Sequence, residues 1–200
     1  MHIMAAHPHT SAFPLTERQS RELEILFEQC FFDSYNTLLC GGGDEPVYLP
    51  SEQGRDPHRL IYREDFFASA LHEIAHWCIA GRQRRTQIDF SYWYTPDGRD
   101  TEQQRAFEQV ETKPQALEWI FSEAAGLRFQ VSVDNLNAES GSDMGVNRGE
   151  ETLPPFKQAV WQQAVVYCET GLPIRAAIFV QALSQYYDTK NILDAARYTL

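Results

Sequence analysis

The pentapeptide His72-Glu73-Ile74-Ala75-His76 constrains this chain more than any other feature. Histidines four apart share one face of an α-helix, so both imidazoles reach a single cation if the segment is helical. The flanks agree with a helix. Phe66, Ala70, Leu71, Ile74 and Cys78 recur at helical spacing, Asp65 can cap or charge the start, and Gly81 is placed to end it. Two chemistries use such a pair. A zinc peptidase takes both histidines as ligands and Glu73 as general base for a metal-bound water. A non-haem iron centre takes the same two histidines and one carboxylate.

Two histidines alone do not hold a catalytic divalent metal, so a third ligand is expected from another element. The metzincin extension HExxHxxGxxH is absent, because Trp77-Cys78-Ile79-Ala80-Gly81-Arg82 follows His76. The best donor region is Phe107 to Gln115, where Glu108 and Glu111 stand three apart on one helix face. Glu111 is preferred as ligand. Pro114 removes a backbone donor, so a kink or break is expected there that could turn Glu111 inward. Glu108 is the alternative.

The 200 residues, 43% apolar, suffice for one domain with a sizeable core, placed here over 15–200. Met1 to Pro14 is aperiodic and reads as a disordered tail over 1–14, its His2, His7 and His9 notwithstanding. Thr16 to Phe32 reads as an amphipathic helix, with Leu23, Ile25, Leu26 and Phe27 inward and Thr16 with Gln19 as a capping box. Cys40-Gly41-Gly42-Gly43-Asp44 reads as a turn, without the GKS/T of a phosphate loop. Glu45 to Pro50, framed by prolines, suits an edge strand. Arg59 to Tyr62 and Gln87 to Tyr94 are strand candidates, the second ended by Thr95-Pro96-Asp97-Gly98. Helices follow from Thr101 to the proline, from Pro114 to Ala125, over Phe156 to Glu169, Ile174 to Tyr187 and, briefly, Ile192 to Tyr198. Val133 to Pro155 is the longest loop. The expected fold is α+β, mainly helical, with a small sheet beside the HExxH helix in a zincin-like arrangement.

Charge narrows the partners. Seventeen Lys and Arg against 28 Asp and Glu leave a formal net charge of −11, which argues against binding nucleic acid by bulk phosphate attraction. Arg82, Arg84 and Arg85 form a local exception. They read either as a solvated helix end or as a docking patch for an acidic partner beside the metal. The four cysteines form no CxxC and read as reduced thiols. Without a signal-peptide pattern or a membrane-length apolar run, a cytoplasmic location is expected. Tyr92, Trp93 and Tyr94 can wall a slot for an alkyl-ammonium group, with Asp89 or Asp97 as its counter-charge, or they can be core.

Several ordered blocks together resemble the bacterial elongation factor P hydroxylase family. They are Leu71 to Gly81, Tyr92-Trp93-Tyr94 with Pro96 to Asp100, Phe107-Glu108, Val110-Glu111, Lys113 to Leu117, Asp44 to Pro50 and Asp134-Asn135-Leu136. The resemblance runs from about Leu23 into the last helices. It implies hydroxylation of the modified lysine of elongation factor P after a β-lysyl group has been attached. It implies a 2-His-1-carboxylate iron site at His72, His76 and an acid near Glu111, with Fe(II) as the metal and dioxygen as co-substrate, while zinc or manganese can occupy the site in the isolated protein. Glu73 would then orient or transfer protons, not act as a hydrolytic base. Tyr92, Trp93, Asp97 and Asp100 become candidates for holding the long cationic side chain. Arg82, Arg84, Arg85 and Arg99 become candidates for docking a folded acidic protein. A zinc peptidase and a non-catalytic module with a structural metal are the competing readings.

Overall fold

In the computed structural model, residues 19–52, 54–90, 101–132 and 155–200 are described. In chain order they form α1 (Ser20–Tyr35), β1 (Thr37–Gly43), β2 (Val47–Leu49), β3 (His58–Arg63), α2 (Phe67–Ile79), α3 (Thr101–Ala124), α4 (Pro155–Thr170) and α5 (Ile174–Tyr186). Short 3₁₀ turns occupy Arg84–Thr86 and Ala195–Arg197. The architecture is mainly helical with one small sheet, as the pattern of the sequence implies. Residues 1–14, Tyr92, Trp93, Asp97, Asp100 and most of the 133–155 loop lie outside the described residues.

The sheet has the order β1-β3-β2, with β1 parallel and β2 antiparallel to β3. The proline-framed β2 is thus an edge strand. On β3, Leu60 and Tyr62 are buried while Arg59 and Arg63 are exposed, an alternation that turns one face to the helices. The glycines expected to form a turn belong instead to β1. A Cβ at Gly41 would lie 2.7 Å from the Tyr62 hydroxyl, and one at Gly43 would lie 2.6 Å from Ile61 Cγ2. The register slips between Cys40 and Gly43, and Gly42 takes a φ of 84° within that irregular stretch. Close approach to β3, not chain reversal, accounts for these glycines.

α2 is buried almost all round, from Ala70 to Cys78, because α1, α3, α5 and β3 surround it. An aromatic nest fixes it in place. Phe27 and Phe31 of α1 meet Trp77 at 5.0 and 4.8 Å between ring centroids, and Phe179 of α5 meets Phe121 of α3 at 5.3 Å. The start of α2 corrects one expectation, since Phe66 is the N-cap, 54% exposed, and Asp65 makes no cap. α1 corrects two more. It begins at Ser20 after an N-cap Gln19 whose side chain makes no capping bond, and Ile25 is 50% exposed.

α3 runs through Pro114 without interruption, contrary to the break expected there. A proline inside a helix costs about 3 kcal/mol. Beyond it, Ala116, Leu117, Ile120, Phe121 and Ala124 are all fully buried. Each large apolar side chain withdrawn from water contributes roughly 1.5–3 kcal/mol, so continuing the helix outweighs one lost bond. The strand expected over Gln87 to Tyr94 is reduced, in its described part, to a single bridge between Asp89 and Tyr48 on the outer edge of β2. Near the C-terminus, Ile192 to Tyr198 holds a 3₁₀ turn, not a helix.

Candidate metal centre

The centre is built where α2 crosses α3. His72 and His76 share the α2 face turned to α3. On α3, Glu111, Gln115 and Glu118 follow at spacings of four and three and so share a face as well. All three predicted ligands are buried, His72 at 8%, His76 at 4% and Glu111 at 2% exposure. Their donor atoms converge. The two Nε2 atoms lie 3.0 Å apart, Glu111 Oε1 lies 3.2 Å from His76 Nε2, and Glu111 Oε2 lies 3.4 Å from His72 Nε2.

This spacing fits a cation. Ligands at about 2.0–2.1 Å in tetrahedral directions stand about 3.3 Å from one another. Glu111 Oε2 is fully buried and makes no hydrogen bond, a state that costs energy unless another group takes it up. The donor set of two imidazoles and one carboxylate suits zinc, iron or manganese. Among the described residues, His72, His76 and Glu111 are the one group of three or more such side chains able to hold a metal ion.

The electrostatics are those of a site waiting for positive charge. Burial alone would lower the His72 pKa, but Glu118, Glu111 and Glu73 together raise it to about 10. Burial would likewise raise Glu111, yet the bond to His76 and the nearby imidazoles hold its carboxyl below the ordinary range. The imidazolium form of His72 is thereby favoured, its charge offsetting part of the acidic cluster. A metal arriving at Nε2 displaces that proton, so metal binding weakens as the pH falls.

Glu118 completes the arrangement. Its Oε2 accepts from His72 Nδ1 at 2.7 Å, which leaves Nε2 directed at His76 and Glu111. Sequence reasoning missed Glu118. The available signal was the run Glu111, Gln115, Glu118 on one helix face. Gln115, 1% exposed, spends its amide on Ser132, donating to its carbonyl and accepting from its N–H, both at 3.1 Å.

The other predicted residues separate clearly. Glu73 is 1% exposed and stands beside the three donors without joining them. Glu108 is excluded from the cluster, its carboxylate accepting from Gln104 Nε2 at 3.0 Å one turn back. Asp89 is paired with Arg84. Tyr92, Trp93 and Asp97 lie outside the described residues.

Two histidines four apart on one buried helix, closed by a glutamate from a second helix, form a group able to hold one metal ion. Comparison with known proteins gives that group a family. The elongation factor P hydroxylase family model matches residues 26–198. A curated relative, the elongation factor P lysine hydroxylase of Haemophilus influenzae, is 46% identical over 182 residues, which cover 91% of this chain and 97% of that protein. The chain belongs to the elongation factor P hydroxylase family and is accordingly a hydroxylase, an oxidoreductase. Neither match favours the zinc peptidase reading.

Proposed function

We propose that this protein hydroxylates the β-lysyl-modified lysine of elongation factor P, the last step of that modification, at an iron(II) centre held by His72, His76 and Glu111. The observation that carries the reading is the convergence of three buried donors in a chain of this family. Three protein ligands leave positions open for reactants, as a closed four-ligand structural site does not. A bound iron(II) supplies the activation of dioxygen that cleavage of an unactivated C–H bond requires. One oxygen atom enters the C–H bond, the other leaves as water, and an external reductant supplies two electrons.

The chain's own residues hold this chemistry in place. Glu118 retains the proton at His72 Nδ1 and keeps Nε2 free for the metal. Glu111 supplies the negative charge that offsets the cation in a buried site. We assign Glu73 an orienting or proton-transfer role beside His72. Tyr92, Trp93 and Asp97 are proposed to line the slot for the cationic side chain. We further infer one catalytic domain over 15–200, a zincin-like placing of the sheet beside α2, and a cytoplasmic protein that acts without nucleic acid or membrane. Among the described residues no helix is long and apolar enough to cross a membrane.

Oxygen uptake by metal-stripped protein, reloaded with one metal at a time, tests the reading. With reductant and modified elongation factor P present, uptake is expected with iron(II) and not with zinc(II). Zinc-dependent cleavage of a generic peptide, lost in Glu73→Gln, would replace the hydroxylase reading with the peptidase one.

A further inference from the structure

The chain turns basic at one place beside its metal centre, and the structure sorts the arginines there. Arg84 is neutralised by Asp89. Arg82 is exposed, and neither it nor Arg85 has a carboxylate within ion-pair distance among the described residues. Arg85 lies over the rings of Tyr35 and Trp77, 5.4 and 5.9 Å from their centroids. Arg175 lies over the same two rings at 5.5 and 4.8 Å. Arg175 donates through Nη2 to the carbonyls of Trp77, Cys78 and Ala80 at the end of α2, while its Nε is buried without a partner. Arg85 Nη1 is likewise buried without a hydrogen-bond partner. Burial, then the neighbouring Arg175, press its pKa down from the usual arginine value. Like charges held together with no carboxylate in ion-pair distance among the described residues, in a chain of net charge −11, are an unfavourable arrangement on stability grounds alone.

Apolar surface adjoins them. Ile88 is 61% exposed and Phe90 57% exposed. The segment that carries these side chains is held firmly. Tyr48 and Asp89 exchange backbone hydrogen bonds of 2.7 and 3.1 Å, and the Tyr48 hydroxyl donates to the Arg85 carbonyl at 3.1 Å. The surface is also close to the chemistry, because His76 lines the same cavity as Arg84, Arg85 and Asp89. Arginine and aromatic side chains on a rigid support, with charge at the rim, are what a protein partner uses. Two free arginines are too few to hold a polyanion such as nucleic acid against the remaining negative charge.

We propose that Arg82, Arg85, Ile88 and Phe90 form a docking surface for an acidic face of the protein substrate. This rests on the reading that the substrate is a folded protein presenting its modified lysine to the metal centre. Attraction at this patch offsets the repulsion that this chain's net charge of −11 presents to an acidic surface and sets the orientation in which the lysine enters.

The test is the steady-state kinetics of hydroxylation of modified elongation factor P at low and high ionic strength, for wild type, Arg82→Glu, Arg85→Gln and Phe90→Ala. Arg82 is exposed, so its reversal leaves folding intact. The loss in Arg82→Glu is expected on KM, about tenfold at low salt and shrinking as salt screens the wild-type attraction. Arg85→Gln and Phe90→Ala are expected to raise KM in the same sense. Wild-type KM and salt dependence in Arg82→Glu would overturn the proposal. So would binding of a single-stranded RNA that Arg82→Glu abolishes while affinity for the factor is unchanged. If wild type binds the factor but does not hydroxylate it, the functional reading fails separately, and the affinities of wild type and Arg82→Glu still decide the docking surface.

Discussion

Glu111→Ala removes the bound metal and lowers turnover by more than the roughly 10–100-fold typical of losing a residue that only supports a ligand. Glu108→Ala, one turn earlier on the same helix, keeps both metal and activity near wild type. The two acids look interchangeable by spacing, and the fold separates them. Glu111 faces His72 and His76 at 3.4 and 3.2 Å, whereas Glu108 is engaged with Gln104. Without Glu111 the site retains two neutral ligands and no charge to offset a buried cation. Metal content per chain after gel filtration reads the first effect, and oxygen uptake reads the second. Thermal unfolding of the stripped variants separates ligand loss from misfolding. Equal metal content in the two variants would contradict the assignment.

Glu118→Ala is the second large effect, expected to weaken metal affinity by about 10–100-fold. The Glu118–His72 bond of 2.7 Å favours a proton on Nδ1, and the carboxylate's charge raises the basicity of the ring. Alanine removes both functions. A glutamine side chain at this position restores an acceptor for Nδ1–H but no charge, so Glu118→Gln is expected to fall between wild type and alanine. Competition with a chelator of known affinity measures the series. A Glu118→Ala protein that holds metal as tightly as wild type would show that packing alone orients His72.

Much of this site was legible because its chemistry is local. His72 and His76 lie four apart on one helix, and that periodicity survives into the structure unchanged. The edge position of β2 follows from its flanking prolines. Elsewhere a local rule met a tertiary cause. Gly41 and Gly43 carry the signature of a turn but serve the close approach of β1 to Tyr62 and Ile61. Pro114 carries the signature of a helix end but is overruled by the buried residues that follow it. Glu111 turns inward because it shares a face with Gln115 and Glu118, not because the helix breaks. Glu118 was invisible because its partner is 46 residues away, and no spacing in the sequence states which helix faces pair.

The most direct measurement is the intact mass of β-lysylated elongation factor P after incubation with this protein, iron(II), a reductant and air. The account predicts a gain of one oxygen atom that is absent with His72→Ala and with Glu111→Ala. No gain with the wild-type protein, or a gain that survives loss of either ligand, would contradict it.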